Sequence, residues 1–287
     1  MNSARGQRIA GVVGWPVAHS LSPQMHEFWL HENGIEGAYV PLPARPHELS
    51  FALRGLAAAG FVGVNITVPH KESAFALADD HDAASLAVGA ANILVFDGGR
   101  MRARNSDAGG LKDNLESELG PDAIRGETVV ILGAGGAARA AILACDGLGA
   151  REVYLLNRTP AHSAEAIRFL AGRASAKLGV LAPDAWASAA PSTRLLVNAT
   201  SLGMNGTISP ALSLQLLPHG GAVCDLVYNP LKTPLLLRAT ELGLRTVDGL
   251  GMLVHQGAAA FEQFFGVKPR VSPALRTRLE ELLCGGT

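Results

Sequence analysis

The chain has 287 residues, 48% hydrophobic and 17% charged, with a mean hydropathy of +0.22, which supplies a sizeable core and excludes a disordered chain. No apolar run approaches the roughly 18 residues of a membrane span, and 24 basic against 25 acidic residues leave no basic stripe for a nucleic-acid backbone. Cys145, Cys224 and Cys284 form no C-x-x-C pair, and His26 and His31 lie on different helix faces, so buried thiols are expected and neither a disulfide framework nor a metal site is.

Arg5 and Arg8 precede the apolar run Ile9–Val13, which is too short for a signal-peptide core and reads as the first strand, so a cytoplasmic protein is expected. Further strands are predicted at Tyr39–Pro41, Gly63–Thr67, Ile93–Phe96, Thr128–Leu132, Val153–Leu156, Leu195–Asn198 and Val223–Leu226. Helices are predicted between them at Pro23–Glu32, Pro46–Ala59, Pro69–Ala78, Gly109–Leu119 and Gly136–Leu148. This alternation predicts an α/β protein with parallel sheets. The stretch from Leu250 to Cys284 carries no strand pattern and reads as two helices broken near Pro269. At about 150 residues per domain the length predicts two domains or one large α/β domain. Boundaries fall near Asn105–Gly110 and Asp248–Gly251, giving one domain of 1–106 plus 249–287 and another of 107–248. A ligand cleft between two such lobes is the expected active site.

The sharpest local signal is the strand Thr128–Leu132 followed by Gly133-Ala134-Gly135-Gly136-Ala137-Ala138, a G-x-G-x-x-A turn opening an alanine-rich helix. Gly133 would permit the tight turn, Gly135 would let a pyrophosphate reach the backbone, and Ala138 would let helix and strand pack closely. The phosphates would sit on unpaired N–H groups at the helix start. The next strand ends in Asn157-Arg158-Thr159, where dinucleotide folds specific for NAD carry an acid for the ribose 2′-hydroxyl. A guanidinium without a neighbouring carboxylate suits a 2′-phosphate, and hence NADP. Arg158 also reads as a solvated side chain, and Thr159 as the cap of a helix opening at Pro160.

Polar residues crowd the amino-terminal third: Gly14-Trp15-Pro16 through His19-Ser20-Leu21-Ser22-Pro23, Asn65-Ile66-Thr67-Val68-Pro69-His70-Lys71, Gly89 to Asn92, and Asn105-Ser106-Asp107. Each also has a plain structural reading. Ser22 before Pro23 reads as a helix N-cap, and Asp107 as the cap of the helix after it. Lys71 in a first turn opposes the helix dipole, which weakens the view of it as a solvated surface residue.

Together these segments resemble the shikimate dehydrogenase family over nearly the full chain. The resemblance continues through the glycines at 133–136, Asn157 to Thr159, Asn198 to Ser201, Asp225 to Tyr228 with Thr233-Pro234, and Asp248 to Gln256. It implies two α/β domains, the second a Rossmann-type dinucleotide-binding domain. It implies NADP-linked, reversible reduction of 3-dehydroshikimate to shikimate, in the pathway to chorismate and the aromatic amino acids, by a monomer or homodimer. Ser20 and Ser22 would hold the substrate carboxylate. Thr67, Asn92, Asp107, Tyr228 and Gln256 would line the pocket of the ring hydroxyls, with Lys71 and Asp107 as the catalytic pair. Gly133, Ala134, Gly135, Gly136, Ala137, Asn157, Arg158, Thr159, Leu226 and Gly249 would contact the cofactor. His162 stands where many NADP-dependent members carry a second arginine, Trp15 where an asparagine is frequent, and Ala108 where a glycine is usual. Lys71 would move the proton while Asp107 orients it. The alternatives are a quinate/shikimate dehydrogenase using NAD and a non-catalytic dinucleotide-binding regulator.

Overall fold

A computed structural model describes residues 8–204 and 212–284; Arg5 and the outermost ends of the expected first domain, 1–7 and 285–287, lie outside the described residues. The chain forms two compact units, Met1–Ser106 with Gln256–Leu279, and Asp107–His255 with Glu280–Thr287.

The first unit begins β1 (Arg8–Gly14), α1 (Ser22–Glu32), β2 (Gly37–Pro43), α2 (Leu49–Ala58), β3 (Gly63–Ile66) and α3 (Lys71–Leu77). It continues β4 (Asp80–His81), α4 (Ala83–Val88), β5 (Ile93–Asp97) and β6 (Arg100–Arg104). Its sheet runs β2-β1-β3-β5-β6-β4. β1 lies parallel to both β2 and β3, whereas β5 is antiparallel to β3 and to β6. The expectation of parallel sheets is therefore corrected here to a mixed sheet. The cause is local: β5 and β6 join through Gly98-Gly99, whose φ values of 57° and 79° make a two-residue hairpin and reverse the chain.

The second unit holds α5 (Asp107–Leu119), β7 (Thr128–Leu132), α6 (Gly136–Gly147), β8 (Glu152–Leu156), α7 (Pro160–Leu170) and β9 (Lys177–Leu181). After them come α8 (Trp186–Ala189), β10 (Thr193–Asn198), β11 (Ala222–Asp225), α9 (Pro234–Glu241) and β12 (Arg245–Val247). Every pairing is parallel, in the order β12-β11-β10-β7-β8-β9. This is the doubly wound Rossmann order, with its switch point between β7 and β10. The central strands are apolar because helices cover both faces: all five residues of β7 are buried. The chain returns to the first unit within α10 (Gly249–Phe265) and ends in α11 (Pro273–Cys284).

Met25 and Trp29 of α1 are fully buried with Phe261 and Phe264 of α10, and the Trp29 indole donates to the Arg270 carbonyl at 3.0 Å. Phe264 lies against Gly63 so closely that a Cβ there would meet its ring at 2.6 Å.

Three local expectations change. Ser22 is the first residue of α1 rather than its cap; Leu21 holds the cap position, and the Ser22 N–H donates to Ser20 Oγ at 3.2 Å. Asp107 is likewise the first residue of α5. Thr159 does occupy the N-cap position of α7, but its side chain makes no capping bond. Cys145 and Cys224 are buried thiols as expected, whereas Cys284, on the last turn of α11, is exposed.

Gly55 sits in the interior of α2, is exposed, and among the described residues has nothing within 4 Å of where a Cβ would stand. Gly55→Ala should therefore stabilise the fold by about 0.5–1 kcal/mol through reduced unfolded-state entropy. A rise in the urea midpoint at unchanged slope checks this; a lower midpoint would contradict the helical backbone at that position.

Candidate active site

In the first unit, loops leaving the carboxyl ends of β1 and β3 are laced by main-chain bonds. Thr67 N–H donates to Val13 O at 2.9 Å, and Trp15 N–H to Val68 O at 3.1 Å. Ser20 is half-buried and Ser22 buried, side by side at the start of α1. As the first helical residue, past the cap, Ser22 has no capping duty, and its hydroxyl is a hydrogen-bond partner of the Tyr39 phenol.

Lys71 is the first residue of α3, half-buried, and its carbonyl accepts from Ala91 N–H at 2.9 Å. The preceding His70 is buried and its Nε2 lies 2.8 Å from Ala44 O, which fixes Nε2 as the protonated nitrogen.

Next to Ala91 the amide of Asn92 is held in full. Nδ2 donates to Ser106 Oγ at 2.9 Å and to Gln256 Oε1 at 3.1 Å, while Oδ1 accepts from Ser106 N–H at 2.9 Å. Ser106 Oγ in turn donates to the Gln256 carbonyl at 3.0 Å. Asn65 extends this network, donating to the Asn92 carbonyl at 3.1 Å and accepting from the Tyr39 hydroxyl at 2.7 Å. The structure thus brings Asn92 and Gln256 together within the first unit. Asn65, Ser106 and Tyr39 were not among the expected site residues, although Asn65 and Ser106 fall inside the N-x-T and N-[ST]-D segments and could have been found there.

The remaining expected residues, Asp107 included, lie in the second unit. At the end of β7, Gly133 has φ +111°, donates its N–H to Leu156 O at 3.0 Å, and leaves room for a Cβ only 3.1 Å from Ala199 O. No L side chain suits that position. Gly135, the N-cap of α6, differs: among the described residues nothing lies within 4 Å of where its Cβ would be. The backbone of Gly135, Gly136 and Ala137 thus opens α6 behind clear space at a Rossmann switch point, a fit for a pyrophosphate. Ala138 behind it is fully buried.

Register pairs Leu132 with Leu156, so Asn157 follows β8 on the strand beside Gly133. Asn157 donates to Thr159 O at 3.1 Å, and Arg158, Thr159 and His162 are exposed. No carboxylate stands at 157–159.

Beyond the switch point, Asn198, Asp225 and Thr233 are fully buried and mutually bonded. Asp225 accepts from Asn198 Nδ2 at 2.9 Å, Val227 N–H at 3.1 Å and the Thr233 hydroxyl at 2.6 Å. Thr233 also caps α9 through Leu236 N–H. Leu226 N–H donates to Asn198 O at 3.0 Å, and Gly249 approaches the Leu226 carbonyl so closely that no Cβ would fit. Burial pushes the Tyr228 phenol above its ordinary value.

Sequence comparison matches residues 12–94 to the shikimate dehydrogenase substrate-binding domain and residues 249–277 to the shikimate 5′-dehydrogenase C-terminal domain. A shikimate dehydrogenase (NADP(+)) of Methylobacterium radiotolerans is 48% identical over 280 residues, covering 96% of this chain and 98% of that protein. The chain belongs to the shikimate dehydrogenase family. Among solved structures, shikimate 5-dehydrogenase from Thermus thermophilus, in complex with NADP(H) and shikimate, matches with a TM-score of 0.84 at 35% identity, covering 96% of this chain and all of that one. A quinate dehydrogenase from Corynebacterium glutamicum in complex with NAD reaches 0.87 at 27% identity, over 95% of this chain and 99% of that one. No described helix is long and apolar enough to cross a membrane.

Burial raises the Asp225 carboxyl above its ordinary value, and the bonds from Thr233, Val227 and Asn198 offset part of that rise. A raised folded value means the native state binds more protons than the unfolded chain between the two values, so this group's contribution to stability falls as pH rises through that window. Asp225→Asn keeps acceptors for Val227 and Asn198 and carries no such proton. Its melting temperature relative to wild type should therefore climb between about pH 4, near the ordinary aspartate value, and neutrality. A pH-independent difference would contradict the raised value.

Proposed function

We propose that this chain catalyses the reversible NADP-linked oxidation of shikimate to 3-dehydroshikimate, as its family relatives are named to do. The observation that carries the reading is the Asn92–Ser106–Gln256 network, whose Asn92 neighbour Ala91 is bonded to the Lys71 backbone. Polar side chains held this rigidly at a sheet's carboxyl edge suit a small polyhydroxylated ring.

We assign the substrate to 1–106 with 249–287, and NADP to 107–248. Ser20 and Ser22 hold the carboxylate. Thr67, Asn92, Tyr228 and Gln256 line the pocket of the ring hydroxyls. The nicotinamide supplies the acceptor for the hydride leaving the ring carbon. Lys71 takes the proton from the hydroxyl on that carbon, and Asp107 orients Lys71 and the substrate. In the reverse direction the Lys71 ammonium returns the proton to the forming alkoxide.

Gly133 to Ala137 receive the pyrophosphate. Asn157, Arg158 and Thr159, with His162, take the 2′-phosphate, while Leu226 and Gly249 border the cofactor. A cytoplasmic monomer or homodimer completes the assignment.

Initial rates with shikimate and quinate, each against NADP and NAD, test the whole reading. Shikimate with NADP should be the fastest pair; quinate with NAD as the fastest would replace the proposal with the quinate-type enzyme. Lys71→Ala should lower kcat by about 10² to 10⁴, the usual contribution of a general acid–base group, at unchanged melting temperature. A variant retaining wild-type kcat would remove Lys71 from the chemistry.

Arg158 is exposed, so its removal should not disturb the fold. Arg158→Ala should lower kcat/KM for NADP roughly tenfold, at the low end for a charge-assisted contact because His162 replaces a second arginine. Efficiency with NAD should hardly move; equal losses for both cofactors would contradict 2′-phosphate recognition.

A further inference from the structure

One buried titratable group has no part in this scheme. His26, one turn beyond Ser22 on α1, is fully buried, and among the described residues neither of its ring nitrogens has a hydrogen-bond partner. Burial holds its imidazole down at about 3, so the ring is neutral at any working pH. Two unsatisfied nitrogens in a core carry a cost that an apolar side chain would avoid.

The ring's geometry gives it a use. His26 stacks on Tyr39 with centroids 3.8 Å apart and planes 10° from parallel. Trp29 meets it edge-on at 5.6 Å and Phe261 closes another side at 5.7 Å, so the imidazole has a single pose. A phenol stacked on a fixed flat plate cannot rotate about its Cβ–Cζ axis, which fixes the ring plane in which its O–H bond prefers to lie. That hydroxyl donates to Asn65 Oδ1 at 2.7 Å and has Ser22 as its other polar neighbour. Asn65 passes the constraint on to the Asn92 carbonyl at 3.1 Å. Two proposed substrate contacts, Ser22 and Asn92, are therefore reached from one stacked pair.

We propose that His26 is a positioning residue for the substrate pocket, a plate that holds Tyr39 so that its hydroxyl orders Ser22 and the Asn65–Asn92 pair. It acts through Tyr39 and touches no substrate. The inference rests on the shikimate reading above and deepens it.

The test compares His26→Phe with His26→Met in the full chain, reading KM for shikimate, KM for NADP, kcat and melting temperature. Phenylalanine keeps a plate, whereas methionine fills the space without one. His26→Met should raise KM for shikimate roughly threefold to tenfold, the size of a lost stacked pair, and leave KM for NADP unchanged. His26→Phe should stay within about twofold of wild type in shikimate KM, and its melting temperature should hold or rise because the unsatisfied nitrogens are gone.

A Met variant with wild-type shikimate KM overturns the inference, as does a Phe variant that loses affinity as far as the Met variant. Should the Met variant not fold, His26→Leu, which also lacks a plate, takes its place with the same expected rise in shikimate KM, and an unchanged KM there overturns the inference. A wild-type enzyme that does not turn over shikimate overturns the proposed function and this inference together. Normal wild-type turnover with an unaffected Met variant overturns only the inference.

Discussion

The side chain of Asn92 engages both of its amide hydrogens and its carbonyl oxygen with Ser106 and Gln256. Those partners arrive from the end of β6 and from α10, so one amide closes a loop of chain that holds residues 107–255 of the second unit. A buried amide left unpaired costs about 1–3 kcal/mol, and the two bonds that reach Gln256, from Asn92 Nδ2 and from the Ser106 hydroxyl, make the return of α10 to the first unit specific in register. The bonds that close the unit also fix the direction of the polar groups proposed to meet the substrate. Folding thus holds these polar groups in place without a ligand.

The second unit reaches its ligand surface by another route. Side chains matter less there than the ends of parallel strands, where the helix that follows β7 presents unpaired N–H groups. Asn198, Asp225 and Thr233 brace the opposite side of the switch point by satisfying each other and the main chain around Leu226. Asp225 takes three donors in a setting that disfavours its charge. Such a group holds a loop by hydrogen bonding rather than by ionic attraction.

Much of this was legible in the residues. Apolar runs such as Val129–Leu132 and Leu195–Val197 show themselves because burial on both faces demands uninterrupted apolar sequence. β4 and β12, of two and three residues, show no pattern because so few positions carry no period. β9 is an edge strand with only one buried residue in five, so its sequence reads as surface. The mixed first sheet was signalled by Gly98-Gly99, a hairpin cue that alternation of strands and helices overrides on a first reading. At the site, the glycine turn and the ordered polar segments were visible as types at fixed spacing. The network through Tyr39, Asn65 and Ser106 was not, since partners 26 and 150 residues apart in sequence leave no local trace.

Gly133 and Gly135 look equivalent in the sequence, yet the fold places them under different kinds of selection. A side chain at 133 would force a left-handed backbone and press on the Ala199 carbonyl, so any replacement harms the protein before a cofactor is met. A side chain at 135 would meet none of the described residues. Across descendants of this chain, drift at 133 is barred whatever the protein comes to do. Drift at 135 is barred only as long as a dinucleotide is still bound, and a lineage that gave up the cofactor would show that loss first at 135.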